Sequence, residues 1–314
     1  MGSTSSACRR LETACRTGEN VADAVEAFRT DLREKIEQND EQASGDMLKE
    51  AMKEAVLPHR CDSAALAVGA ELLKFLAHFD HKRDRKALDA IHEMNAAFMA
   101  IPESEITSGW RNAQVNFLTS AFQAWIQGGG PIVIREECRD TDIEQEGIVY
   151  INEELCSVFL RFSKWDKKLT TGNRSHALAA SAYKISHQCG TKLELVAAAV
   201  EEVQSLLKEE EKPFLIARTV YGVLAATFEN PKISSQYALK LAGQLLRSDA
   251  LTAGPSAISS FLHDILKILE IKALALQADR EAELCKVVEV LCRVYKRSLM
   301  LLGDLNWVEL VKQF

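Results

Sequence analysis

Strand-forming sequence is nearly missing from this chain of 314 residues. Only two short runs have β-branched character, PIVIR at Pro131 to Arg135 and GIVYI at Gly147 to Ile151. They suit either a small hairpin or a loop that leads into a helix, and so sparse a signal excludes sheets and barrels as the framework. Also missing is any uncharged apolar run of the ~18 residues that a membrane span needs. The longest candidate, AISSFLHDILKILEIKALAL, carries His263, Asp264, Lys267, Glu270 and Lys272, and reads as a helix in water.

None of the eight cysteines, at positions 8, 15, 61, 138, 156, 189, 285 and 292, belongs to a C-x-x-C pair. The opening residues, MGSTSSACRR, lack the apolar core of a secretory signal. Reduced thiols and a cytoplasmic location are therefore expected, with several cysteines serving as small core residues. MGSTSS does fit the M-G-x-x-x-[ST] acceptor pattern, with Gly2 as the myristoylation site, but a disordered tail over residues 1–10 explains it equally well. One acyl chain gives only reversible attachment, so no stable membrane association is expected.

Basic residues do not dominate either. The formal net charge is −7, which argues against non-specific nucleic-acid binding, since that affinity comes from Lys and Arg on phosphates. The basic run HKRDRK, His81 to Lys86, reads as a solvated helix end. The usual marks of catalysis are absent as well. Gly128 to Gly130 are not followed by the Lys and Ser/Thr of a phosphate loop, and read as a flexible linker. His78 and His81 stand three apart without a third ligand, and neither an aspartate-rich box nor a G-x-S-x-G elbow occurs, RDTD at Arg139 to Asp142 being the nearest approach to the former. No catalytic residue, metal or cofactor is expected, although a triad assembled in space leaves no such trace.

What the chain does have is helical spacing. Val21, Ala24, Val25, Phe28, Leu32 and Ile36 recur at three and four residues, as do Leu72, Leu73, Leu76 and Phe79, then Leu88, Ile91, Met94 and Phe98. The same holds for Val220, Tyr221, Leu224 and Phe228, for Ile258 to Leu269, and for Leu284, Val287, Val288, Leu291, Val294 and Tyr295. Only six prolines are present, at 58, 102, 131, 213, 231 and 255, and they fall between these segments. Roughly a dozen helices with short connections predict an all-α fold, a TPR-like right-handed α-solenoid of antiparallel helix pairs. It would run from residue 11 to 314 as one superhelix, with an N-terminal half over about 11–127, a linker over about 128–149 and a C-terminal half over about 150–314. The strict 34-residue repeat is not visible, so the repeats are degenerate.

Two stretches resemble a known family. LCRVYKRSL, Leu291 to Leu299, followed by NWVELVKQF, Asn306 to Phe314, is similar to the close of the Get-four family, the scaffold subunit of the guided-entry pathway for tail-anchored membrane proteins. Leu291, Cys292, Tyr295, Ser298 and Leu299 match its L-C-x-x-Y-x-x-S-L motif, Asp304 occupies the turn, and Phe314 is the final aromatic. Near the start, Phe28, Arg29 and Thr30 stand where the family has Tyr-Arg-Thr, and CDSAAL, Cys61 to Leu66, where it has S-A-A-D-L. The segment from Glu211 to Leu246 resembles its paired helices.

The resemblance implies a non-catalytic adaptor in the targeting of tail-anchored proteins to the ER. Its N-terminal half would dock an ArsA-type targeting ATPase through Arg29 and Arg33, with Asp62 as a possible acid. Its C-terminal half would hold a ubiquitin-like-domain co-chaperone through Leu251, Pro255, Tyr295 and Trp307, the last helix closing the array. Leu66 replaces the family's Asp, which puts the ATPase contact in question. A helical-repeat subunit of a large assembly, of the proteasome lid or translation initiation type, is the alternative reading, and an all-α enzyme the third.

Overall fold

The computed structural model describes residues 5–136, 142–169, 173–248, 256–274, 281–303 and 305–314. Among them are fifteen α-helices and a pair of two-residue strands. The chain divides into two compact units, 1–130 and 131–314. The boundary falls at Pro131, inside the anticipated linker.

The first unit holds α1 (Ser6–Thr17), α2 (Val21–Glu37), α3 (Glu41–Glu50), α4 (Asp62–His78), α5 (Arg85–Met99) and α6 (Ser108–Gln127), with a π-helical segment at Ala51–Val56. Residues 1–10 are not all tail. Helix α1 starts at Ser6 because Ala7, Cys8 and Leu11 are buried, and burying that apolar face outweighs the entropy of ordering the chain. Gly18 stops α1 in the left-handed conformation, with φ 74°. Side chains start the later helices: Asp40 accepts from the Ala43 amide, Asp84 from Ala87 and Thr107 from Trp110. Helix α6 lies close on α4, where a Cβ on Gly69 would meet the Phe117 ring at 3.2 Å. The largest side chains of this core, Trp110, Trp125, Phe28 and Phe98, are fully buried.

The glycines 128–130 are held in place and do not act as a loose linker. Arg83, itself buried, donates to the carbonyls of Trp125, Ile126 and Gly130. It thereby satisfies carbonyls that the end of α6 leaves without intrahelical partners.

The second unit holds β1 (Val133–Ile134), α7 (Ile143–Leu169), α8 (Asn173–Ser186), α9 (Leu193–Gln204), α10 (Lys212–Ala225), β2 (Lys232–Ile233), α11 (Ser235–Arg247), α12 (Ala257–Leu274), α13 (Glu281–Val294), α14 (Lys296–Leu299) and α15 (Trp307–Gln313). Pro213 sits in the first turn of α10, where its missing N–H costs least. PIVIR and GIVYI do not form a hairpin. The first supplies β1 and the second lies within α7, while β1 pairs in parallel with β2, Val133 opposite Lys232 and Ile134 opposite Ile233. Helices of this unit pack on the next in sequence and on the next but one, as α7 does on α8 and α9, and α10 on α11 and α12. No helix among the described residues is long and apolar enough to cross a membrane.

Candidate docking surfaces

Helix α13 is apolar on two faces. Cys285 and Val288 point inward and are buried. Val287, Val290 and Val294, spaced i, i+3 and i+7, point outward at 47%, 54% and 71% exposure. Glu283, Lys286, Glu289, Arg293, Lys296 and Arg297 are exposed around this stripe. Single exposed apolar residues need no explanation, but a row of three on one helix face marks a surface that another protein can cover. Full burial of the area each valine still exposes is worth on the order of 1 kcal/mol.

The expected partner residues are placed unequally around this helix. Tyr295 follows α13 directly and is half-buried. Its ring meets Phe261 edge-on at 5.5 Å and its hydroxyl lies 3.4 Å from the Asp264 carboxylate. Trp307 is buried, edge-on to Tyr221 and to Phe261, so its role at a surface is to hold α15 in position. Lys272 on α12 reinforces that position by donating to the Val311 and Lys312 carbonyls at 2.6 and 3.0 Å. Leu251 and Pro255 lie outside the described residues. The outward valines were legible only as part of a helical run, and the signal for them is that the run fills both faces.

In the first unit, Arg29 and Arg33 lie one turn apart on α2, and the structure gives them different work. Arg29 pairs with Glu71 of α4 at 3.2 Å and with Glu26 at 3.4 Å, and Lys74 adds a second cation on Glu71 at 2.9 Å. Arg33 is exposed. Asp62 opens α4, nine residues or about 13 Å of helix before Glu71, so it does not join the arginine cluster. It faces Thr107 at 3.4 Å and lies against Gly109, where a Cβ would collide with its carboxylate. Leu66, one turn on from Asp62, is 44% exposed. An apolar side chain therefore faces solvent at this position.

The first unit also contains a cleft of about 500 Å³ between α3, α4 and α5. Leu48, Met52, Leu72, Phe75 and Met94 line its floor, and ion pairs span its rim: Lys49 with Glu93 at 3.2 Å, and Lys86 with Glu41. His81 is held between Glu41 and Asp84, with contacts of 2.7 and 2.5 Å, while His78 is exposed and edge-on to Phe79. The two histidines do not form a pair.

Comparison with family models, with curated proteins and with solved structures gives no match.

Proposed function

We propose that this chain is a non-catalytic adaptor in the post-translational targeting of tail-anchored membrane proteins to the ER, working in the cytoplasm. It would bridge a ubiquitin-like-domain co-chaperone, held by the second unit, and an ArsA-type targeting ATPase, docked on the first. The observation that carries this reading is the outward valine stripe of α13, Val287, Val290 and Val294, which leads into the stretch from Leu291 that resembles the Get-four family and shares Val294 with it. An adaptor needs two separate surfaces, and two compact units supply them. Packing of successive helices on the next and next but one supports an α-solenoid of antiparallel pairs in the second unit. At the ATPase contact, the exposed Arg33 and Leu66 are the side chains with free area, and Asp62 can contribute from one turn before Leu66.

The test is capture from native cytosol on tagged full-length chain, comparing wild type with Val290→Asp. Wild type is expected to recover a ubiquitin-like-domain protein together with an ArsA-type ATPase. The variant, folded by circular dichroism, is expected to lose the first and keep the second. Recovery of proteasome or ribosome-associated subunits in their place would overturn the targeting role. Equal recovery by Val290→Asp would remove α13 from the contact.

A further inference from the structure

The cleft between α3, α4 and α5 has its shape set by two ion pairs. Glu41 of α3 pairs with Lys86 of α5, and Lys49 of α3 with Glu93 of α5. The second pair lies eight residues further along α3 and seven further along α5, so the two helices run side by side in the same direction. The wall that lines the cleft from Glu41 to Lys53 is therefore about 18 Å long. His81 holds Glu41 from its other side at 2.7 Å, which fixes one end of the cleft.

The two pairs stand at the solvent side, whereas Leu48, Met52, Leu72, Phe75 and Met94 beneath them are buried. In this the cleft differs from α13, whose valines lie open to a partner. A helix is about 10–12 Å across with its side chains, and would reach this floor only by breaking both pairs. An unbranched alkyl chain is narrow enough to pass beneath them. A methylene takes up as much room as a water in the liquid, ~30 Å³, so a cleft of about 500 Å³ holds a chain of about 16 carbons. The two methionines are unbranched and adapt to such a chain. Gly45 lines the same wall in the middle of α3, although glycine is a poor helix former. Its missing side chain leaves room over the Phe75 ring, which a Cβ would approach to 3.6 Å.

We propose that this cleft binds a long-chain fatty acid of about 14 to 16 carbons. Its tail lies over Met52, Phe75 and Leu72, beneath the Lys49–Glu93 pair. Its carboxylate stays at the rim beside Lys49 and Lys53, which stand one turn apart and are both exposed. Those two ammonium groups face the single carboxylate of Glu93 at this end of the lining, so an anionic head completes the balance of charge. The site lies wholly within the first unit and does not depend on the valine stripe of α13.

The experiment titrates the full-length chain with palmitate at concentrations below micelle formation. Saturable binding of one palmitate per chain is expected, with octanoate at least about a hundredfold weaker because eight methylenes are lost. Hexadecanol, which has the tail without the charge, is expected to bind more weakly than palmitate, and Lys53→Glu to remove that difference. Gly45→Leu fills the space over Phe75 and is expected to weaken palmitate at least about tenfold while the circular dichroism stays that of wild type. A photo-reactive palmitate followed by peptide mapping of wild type is expected to label Gly45 to Lys53 or Asp89 to Ala97, a readout that needs no variant to fold. Labelling centred on α13, equal affinity for octanoate and palmitate, or no saturable binding would each overturn the proposal.

Discussion

The Arg29 guanidinium lies 3.2 Å from the Glu71 carboxylate and ties α2 to α4. Glu71 is largely buried, so removing its cation leaves a carboxylate that has lost part of its compensation. Arg29→Glu is expected to cost the chain about 2 kcal/mol in urea unfolding, because it sets a third carboxylate beside Glu26 and Glu71. Arg33→Glu, on the exposed next turn, is expected to change stability by less than ~0.5 kcal/mol. Arg33→Glu is therefore the cleaner probe of an ATPase contact, with a loss of about tenfold in affinity expected there. Equal destabilisation by both substitutions would show that the Glu71 pair contributes nothing.

Arg83 serves three carbonyls around the end of α6 and is buried while doing so. Arg83→Met keeps the stem and removes every donor, and is expected to cost about 3 kcal/mol by thermal or urea melting. Arg83→Lys keeps the charge but cannot reach three carbonyls from one ammonium, and should recover less than half of that loss. A full recovery by lysine would mean that charge alone matters at this helix end.

The last helix should behave as a structural cap. Trp307→Ala leaves a void between Tyr221 and Phe261 and is expected to cost about 3–5 kcal/mol. Lys272→Met removes the donors to the Val311 and Lys312 carbonyls and should cost about 1 kcal/mol. If Trp307→Ala melted at the wild-type midpoint while abolishing partner capture, Trp307 would be a contact residue instead.

His187 links the stability of the second unit to pH. Burial lowers its value to about 4, opposed by a hydrogen bond with the Tyr183 backbone. The unfolded chain, at about 6.5, takes up a proton that the folded chain refuses, so stability is complete above about 6.5 and falls as the pH drops toward 4. The loss over that window is on the order of 3 kcal/mol. Urea midpoints at pH 7 and pH 4.5 should therefore differ more for wild type than for His187→Phe. Identical pH dependence in the two would show that His187 is protonated in the folded state.

The all-helical character was legible because apolar residues at three- and four-residue spacing dominate the chain and turn residues interrupt them. Two features were not. Val133 and Ile134 have no neighbouring strand in sequence, and their partner lies at Lys232 and Ile233, so only the folded chain shows the pairing. Arg29 and Arg33 look equivalent along α2, and whether an arginine turns to Glu71 or to water is decided by the packing of α4. Likewise, Val287 and Val288 are the same residue one position apart, yet one is exposed and the other fully buried. Spacing identifies the helix but not which of its two apolar faces meets the neighbouring helices.

The short pairing of β1 with β2 governs the order in which the second unit can be assembled during synthesis. Lys232 donates to the Ile132 carbonyl and Ser234 to that of Ile134, while the Asn230 side chain accepts from the Ile132 amide. These bonds close a loop of about a hundred residues that contains α7 to α10. On the ribosome, α7, α8 and α9 can pack on one another as they emerge, since their contacts are local. The clasp must wait until Ser234 has left the exit tunnel, and until then the residues of β1 have no strand partner. A nascent chain arrested before residue 230 should thus expose the edge of β1 to proteases, and one arrested well beyond residue 234 should protect it.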